Sequence, residues 1–108
     1  MPPVISLEKL EAAVARPSSD YFGEELFPSL VEKAAALLQA IVIGHPFMDG
    51  NKRAGLGGAM LLLELNGIVP ETSNDVALYD LVIAVASGAL RDVPEIADRL
   101  RTLFALPG

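Results

Sequence analysis

The spacing of apolar residues predicts helices along most of the chain. Apolar positions recur three and four residues apart in five segments, whereas the period of two that indicates strands is weak throughout. The sequence therefore predicts an all-α fold with about five helices. Their expected starts are Ser6, Pro28, Asn51, Ser73 or Asn74, and Asp92.

Residues that cap or break helices mark the expected boundaries. The first helix follows Ser6, whose hydroxyl can cap it, and ends before Pro17. Pro28 suits the first turn of the second helix, and Asp92 followed three residues later by Glu95 resembles a capping box at the start of the fifth. The segment from residue 17 to residue 26 has no period, and it is predicted to be a surface loop or one short hairpin.

The third predicted helix, from about Asn51 to Asn66, is apolar nearly all round beyond Arg53. A helix of this kind is expected to be buried, so we predict that it is the central helix of the bundle. Three glycines lie within it, and each costs about 1 kcal/mol relative to alanine inside a helix. Glycines retained at that cost are expected where two helices approach closely. They are Gly55, Gly57 and Gly58.

Composition limits the class of protein. With 108 residues, of which 52% are hydrophobic and 20% charged, the chain is expected to form a single domain over residues 1–108. The sequence has no cysteine, which excludes disulfides and thiolate chemistry and fits a reducing, cytoplasmic environment. No signal peptide is visible, and no apolar run approaches the roughly 20 residues of a membrane helix. The high apolar fraction is compatible with a homo-oligomer or a partner contact.

The charged residues point to one local site. A net charge of −6 argues against nucleic-acid and anionic-membrane partners, because both require clustered Lys and Arg. Lys52 and Arg53 are the only cations between residues 34 and 90, and they follow the only histidine, His45, by seven and eight positions. On an acidic chain, this pair predicts an isolated anion-binding point.

The segment around these cations contains the groups that phosphoryl chemistry needs. The first N–H groups of a helix lack intrahelical partners and attract phosphate, and Gly50 lets the backbone approach closely. Lys52 and Arg53 add positive charge beside those donors. Asp49 can hold Mg²⁺ that bridges phosphates, and His45 can accept a proton from an attacking hydroxyl. The predicted reaction is in-line attack on phosphorus.

Each of these residues also has a purely structural interpretation. A histidine at a helix boundary is more often structural than catalytic. Asp49 or Asn51 could simply cap the third helix, and Phe47 is expected to pack whatever the loop does. Positive charge at a helix start is nevertheless unfavourable by roughly a few tenths of a kcal/mol, and a bound anion would relieve it.

The segment resembles the motif of the Fic/Doc family, His-x-Phe-x-Asp/Glu-Gly/Ala-Asn-Gly/Lys-Arg. The similarity extends more loosely from about Leu7 to Phe104 and implies a compact Fic/Doc-type helical bundle. The motif positions are occupied by His45, Phe47, Asp49, Gly50, Asn51, Lys52 and Arg53.

The resemblance also implies a role for each matching residue. His45 would be the general base and Asp49 the Mg²⁺ ligand. Asn51, Lys52 and Arg53 would contact phosphate, and Phe47 would anchor the motif loop in the core.

Two positions favour the Doc branch of this family, whose members transfer the terminal phosphate of a nucleotide, over the Fic branch, which transfers AMP. The AMP-transferring pattern has glycine where Lys52 stands and a second arginine where Leu56 stands. Lys52 fits the Doc pattern, whereas Pro46 and Gly50 look more like Fic. AMP transfer to a protein hydroxyl therefore stays as the alternative.

The Doc resemblance implies a toxin that uses ATP and Mg²⁺ to phosphorylate a Ser or Thr hydroxyl on elongation factor Tu, which would inhibit translation. A small antitoxin of the Phd type would hold the enzyme silent. The sequence lacks the Ser/Thr-x-x-x-Glu-Gly/Asn string of self-inhibited Fic proteins, which agrees with control by another chain. A module that binds nucleotide or antitoxin without turnover is a further alternative. Because Doc proteins have an additional N-terminal segment, the chain is expected to be a short member or to lack that segment.

Overall fold

Helices dominate residues 3–71 and 75–106, which are the parts of the chain that the computed structural model describes. The all-α prediction with about five helices is confirmed, and one small hairpin accompanies them. Within these residues, no helix is both long and apolar enough to cross a membrane. The elements are α1 (Leu7–Ala15), a 3₁₀ turn (Arg16–Ser18), β1 (Asp20–Tyr21), β2 (Glu24–Glu25), α2 (Leu30–Gly44), α3 (Asn51–Leu65), α4 (Asp75–Ser87) and α5 (Val93–Phe104).

The first two helices begin at serine caps. The Ser6 hydroxyl accepts a hydrogen bond from the Lys9 N–H at 3.2 Å, as predicted for α1. The start predicted for α2 is wrong by two residues, because Ser29 rather than Pro28 determines it. The Ser29 hydroxyl accepts the Glu32 N–H at 3.1 Å and donates to the Glu32 carboxylate at 2.9 Å, so one unpaired donor of the first turn is satisfied there.

For the last two helices, no predicted capping hydrogen bond is observed within the described residues. Asp92 is the residue before α5, but its side chain makes no capping hydrogen bond, so the predicted capping box does not form. Pro94 lies in the first turn, where the missing N–H of proline costs no intrahelical hydrogen bond. The caps predicted for α4 lie outside the described residues; they are Ser73 and Asn74.

The segment between α1 and α2 forms the predicted hairpin. Its register pairs Asp20 with Glu25, and the turn residues Phe22 and Gly23 have φ angles of 52° and 85°. Positive φ at both central residues matches the right-handed twist of the two strands. Glu25 forms a 3.0 Å ion pair with Lys33, so the hairpin is tied to the first half of α2.

The central helix is α2, not α3. α2 packs against every other helix and against the 3₁₀ turn, whereas α3 packs against α2 and α4. α3 buries only a narrow stripe with a period of four, and its outward-facing Leu61 and Leu65 are 54% and 75% exposed. The apolar residues on the outer side of α3 suggested full burial, but no described element covers that side. The buried residues of α2 are Val31, Ala34, Ala35, Ala36, Leu38, Ile41 and Val42.

One of the three glycines in α3 marks a close approach of α2 and α3. A Cβ at Gly55 would lie 2.7 Å from Val42 Cγ2 and 3.2 Å from the Leu38 carbonyl oxygen, so only glycine fits without a shift. A Cβ at Gly58 would make ordinary contacts, and one at Gly57 would meet nothing within 4 Å. The prediction for Gly57 is therefore wrong, because this residue lies on the exposed side of the helix.

Candidate phosphate-handling site

His45 is held at the point where α2 ends. Its backbone is left-handed, with φ 51° and ψ 55°, and its N–H donates to the Ile41 carbonyl at 3.1 Å. A non-glycine residue in this conformation is uncommon, although histidine is among the types that adopt it more often. The turn ends the helix and leaves the His45 side chain exposed.

The next two residues anchor the loop in the protein. Pro46 is fully buried, and Phe47 is 5% exposed. Phe47 packs in a small cluster with Ala13 of α1 and Ile41 of α2. This burial fits the role of anchor that the motif resemblance implies for Phe47.

Asn51 holds the loop in shape from the inside. This side chain is the buried polar one among the described residues, with 7% exposure. Its Oδ1 accepts the Phe47 N–H at 3.1 Å, and its Nδ2 donates to the Phe47 carbonyl at 3.0 Å. The amide thus pairs both backbone groups of a buried residue, which would otherwise cost free energy. The phosphate contact implied for Asn51 stays a prediction, and its observed contacts lie within the loop.

Asn51 also determines which nitrogen of His45 faces a donor. The two contacts to Phe47 fix the amide orientation, so Nδ2 is the atom that faces His45 Nδ1, at 3.4 Å. An N–H group facing Nδ1 favours the neutral tautomer that carries its proton on Nε2. The distance is long for a hydrogen bond, so the ring is only weakly held.

The outer edge of the loop is held by residues 3–6, here called the N-terminal strap. The Pro46 carbonyl accepts two hydrogen bonds from it, from the Ile5 N–H at 2.9 Å and from the Ser6 N–H at 3.2 Å. Ser6 is also the cap of α1. The start of α1 is therefore bonded directly to the loop that carries His45.

The strap also pairs in antiparallel fashion with the next residues of the loop, Phe47 and Met48. Val4 lies opposite Phe47 in an isolated bridge, and the Met48 N–H donates to the Pro3 carbonyl at 2.9 Å. Together with the Asn51 contacts, these bonds occupy nearly every backbone polar group from residue 46 to residue 48. The loop is consequently a rigid platform for the residues at its two ends.

The start of α3 provides the anion-binding side of the site. Gly50 precedes the helix with φ 73°, and the first intrahelical bond runs from the Ala54 N–H to the Gly50 carbonyl at 2.8 Å. The three preceding N–H groups lie at the positive end of the helix dipole. Lys52 and Arg53 are exposed, and neither forms an ion pair with any residue in the described ranges.

These groups converge on one concave surface of about 370 Å³. Phe47 is absent from its lining, since it lies beneath the loop. The structure therefore brings together all the predicted site residues except the anchor. The lining residues are His45, Met48, Asp49, Gly50, Asn51, Lys52 and Arg53.

The side chains at this surface could hold a metal ion only if a bound phosphate compound supplied further oxygen atoms. Asp49 is exposed and contributes one carboxylate, and the described residues contain no cluster of three or more His, Asp or Glu side chains. Mg²⁺ is commonly bound by one or two carboxylates plus phosphate oxygens and water. Asp49 fits that pattern, with the phosphates supplying the remaining oxygens.

A family model described as the Fic/DOC family matches residues 2–63. The chain belongs to the Fic/DOC family. The match ends inside α3, so it includes the whole motif loop together with the strap, the hairpin and α2. The Fic/DOC motif therefore coincides with the loop whose geometry is described above.

Two relatives of this Fic/DOC chain carry Doc names. It is 43% identical over 79 residues to Toxin Doc of Mycolicibacterium smegmatis, covering 72% of this chain and 61% of that protein. It is 36% identical over 96 residues to Protein kinase doc of Escherichia phage P1, covering 89% of this chain and 73% of that protein. Within the family, the chain thus resembles Doc members.

Sequence reasoning missed two features of the site. The left-handed turn at His45 could have been suspected from Pro46, because helices usually end before a proline. The N-terminal strap had no local signal, since its bonds join residues about 40 positions apart.

Proposed function

We propose that this chain is a Doc-type toxin that transfers the terminal phosphate of ATP to a Ser or Thr hydroxyl of a target protein. The observation that supports this most is the convergence at the start of α3 of an exposed His45 with Lys52 and Arg53, neither of which forms an ion pair within the described residues. The names of the two Doc relatives support it independently.

In the proposed reaction, the target hydroxyl oxygen attacks the terminal phosphorus, and the bond to the bridging oxygen breaks as ADP leaves. His45 takes the hydroxyl proton. With the neutral ring protonated on Nε2, the proton goes to Nδ1, so the imidazole must turn Nδ1 from the Asn51 amide, 3.4 Å away, toward the hydroxyl. General base catalysis of this kind typically contributes 10²- to 10⁴-fold, about 3–5 kcal/mol of barrier.

Lys52, Arg53 and the N–H groups of the first turn of α3 hold the phosphates and stabilise the charge that develops on them. Arg53 can bind two phosphate oxygens at once, and Lys52 acts as a point charge. Mg²⁺ held by Asp49 would neutralise phosphate charge when the nucleotide is bound.

The surroundings of Leu56 favour phosphate transfer over AMP transfer. Leu56 is half-buried in α3 and lines an apolar hollow of about 310 Å³ between α3 and α4, beside Lys52 and Arg53. An AMP-transferring site resembling the Fic motif would have an arginine at this position and a glycine at Lys52. In this chain, Lys52 occupies the position where the AMP-transferring pattern has glycine and leaves room for a phosphate, and Leu56 replaces the second arginine.

The proposed target is elongation factor Tu, so that phosphorylation would inhibit translation in the cytoplasm, and the proposed regulator is an antitoxin of the Phd type. Both proposals come from the resemblance to Doc proteins, and the relative named Toxin Doc supports the toxin role.

The deciding experiment is transfer from ATP labelled on the terminal phosphate or on the α-phosphate, with purified elongation factor Tu and bacterial lysate as acceptors. We expect terminal label on elongation factor Tu and its loss in His45→Ala. Label from the α-phosphate would instead identify an AMP transferase. Transfer of neither label, with nucleotide binding unchanged in His45→Ala, would identify a binding module without turnover.

A further inference from the structure

The outer side of α3 carries both projecting leucines and an apolar hollow. Leu61 and Leu65 are 54% and 75% exposed, and no described element covers them. Beside them lies a concave surface of about 490 Å³, whose lining along α3 includes Ala54, Gly57 and Leu61. We call the outer surface of residues 54, 57, 58, 61 and 65 the α3 face. It combines a projection and a depression of the same apolar character.

Such a face is complementary to itself. In a twofold-symmetric pair the same patch of both copies is in contact, so each copy can insert its projection into the hollow of the other. Inserting Leu61 of one copy beside Ala54 and Gly57 of the other makes the two α3 helices antiparallel. The twofold axis then passes close to Gly57 and Gly58.

The charges on α3 agree with this register, although they were not used to choose it. Arg53 and Glu64 lie about equally far from the axis on its two sides, and they are eleven residues apart, which is about three helical turns. Both side chains therefore lie on the same flank of α3. In an antiparallel twofold pair the same flanks meet, so Arg53 of one copy faces Glu64 of the other, twice. Both residues are exposed, and neither forms an ion pair within the described ranges.

We propose that two copies of this chain associate through the α3 face as an antiparallel, twofold-symmetric dimer. Burial of Leu61 and Leu65 from both copies stabilises the dimer, and the two pairs of Arg53 with Glu64 determine its orientation. Because one helix from each copy provides most of the contact, the interface is small. We therefore expect a dissociation constant on the order of 10–100 μM.

The dimer would cover part of the phosphate-handling site. Asp49, Gly50 and Arg53 line the hollow of the α3 face and also the concave surface at the start of α3. In the dimer, Arg53 is paired with Glu64 of the second copy instead of a phosphate. Association and phosphate binding therefore exclude each other. This exclusion rests on the proposed function, whereas the association itself does not.

Sedimentation equilibrium of the full chain, at loading concentrations from roughly 5 to 500 μM, tests the association. Leu61→Glu should raise the dissociation constant of the dimer at least about tenfold, because both copies lose an apolar contact. Val14→Glu is the matched control, since Val14 is 63% exposed on α1 and does not line the hollow. A parent chain that stays monomeric, or equal weakening in both variants, would overturn the proposal.

Exchange of the two charges tests the antiparallel register. Arg53→Glu and Glu64→Arg should each weaken self-association by about three- to tenfold, because like charges then face each other twice. In an equimolar mixture of these two variants, opposite charges face each other again at both positions. We expect the mixture to dimerise with the dissociation constant of the parent chain. Failure of the mixture to recover would contradict the pairing and overturn the proposed dimer.

ATP with Mg²⁺ tests the exclusion. We expect it to shift the parent chain toward monomer, and we expect Leu61→Glu, which stays monomeric, to bind ATP more tightly than concentrated parent chain. ATP binding by Leu61→Glu without any shift in the parent would overturn the exclusion. Absence of ATP binding by Leu61→Glu would instead contradict the proposed function, and the dimer would still be decided by the sedimentation measurements.

Discussion

At the scale of single residues, the shape of the motif loop depends on Asn51. Replacing Asn51 with Ala leaves the buried N–H and carbonyl of Phe47 without partners. Because each unpaired buried group costs about 1–3 kcal/mol, we expect the free energy of unfolding to fall by roughly 2–4 kcal/mol. Urea denaturation followed by circular dichroism would measure this change.

The matched control is Asn66→Ala. Asn66 is exposed and its side chain donates one hydrogen bond, to the Leu62 carbonyl at 2.8 Å. Loss of this exposed hydrogen bond should lower the free energy of unfolding by less than about 1 kcal/mol. Equal losses in the two variants would mean that Asn51 does not hold the loop as described.

The Asn51 amide should also determine the tautomer of His45. In the parent chain we expect neutral His45 to carry its proton on Nε2, since Nδ1 faces an N–H group. Asn51→Asp keeps the oxygen that accepts the Phe47 N–H, removes the donor to the Phe47 carbonyl and places an acceptor in front of Nδ1, so it should move the proton to Nδ1. ¹⁵N chemical shifts of the ring report the tautomer, and they need no assignment because His45 is the only histidine in the chain. An unchanged tautomer would show that the 3.4 Å contact has no influence on the ring.

At the scale of elements, the contact between α2 and α3 distinguishes two glycines that look alike in the sequence. Gly55→Ala would place a methyl group 2.7 Å from Val42 Cγ2, so we expect destabilisation by about 1–3 kcal/mol. Gly57→Ala meets nothing within 4 Å and should stabilise the protein by roughly 0.5–1 kcal/mol through helix propensity. Thermal unfolding would measure both changes: the Tm should fall in Gly55→Ala and rise in Gly57→Ala. A change in the same direction in both variants would contradict the packing described.

The N-terminal strap gives a second prediction at this scale. Ile5→Pro removes the N–H that donates to Pro46, whereas Val4→Pro removes an N–H that takes no part in the pairing with the loop. We expect faster hydrogen exchange at Met48 and lower kcat for phosphate transfer in Ile5→Pro alone. Its effect on kcat should exceed its effect on KM, because the loop positions His45. Unchanged Met48 exchange in Ile5→Pro would show that the strap does not support the loop.

At the scale of the whole molecule, ligand binding at the start of α3 should stabilise the fold. A ligand at 100 times its Kd adds about 2.7 kcal/mol, which corresponds to roughly 10 °C or more in Tm for a domain of this size. We expect ATP with Mg²⁺ to raise the Tm, and the rise to disappear when Lys52 and Arg53 are both replaced by Ala. Arg99→Ala should keep the full rise. A Tm increase that survives the double substitution would place the nucleotide elsewhere.

Local signals were sufficient for most helix boundaries. Ser6 capped α1, and Gly67 and Gly88, with φ angles of 87° and 81°, follow the ends of α3 and α4. The predicted start of α2 was wrong by two residues, because Ser29 caps this helix and Pro28 lies before the cap. Such errors are small because capping depends on the chemistry of only a few neighbouring residues.

The sequence by itself determined the helical class and the motif from His45 to Arg53, because helical periodicity and the order of chemical groups are properties of neighbouring residues. Only the tertiary structure decided that α2 rather than α3 is central, since burial depends on which elements cover a face. It also decided that Asn51 clamps the loop and that residues 3–6 support it. These contacts join distant parts of the chain, and no local pattern encodes which distant backbone group will accept a hydrogen bond.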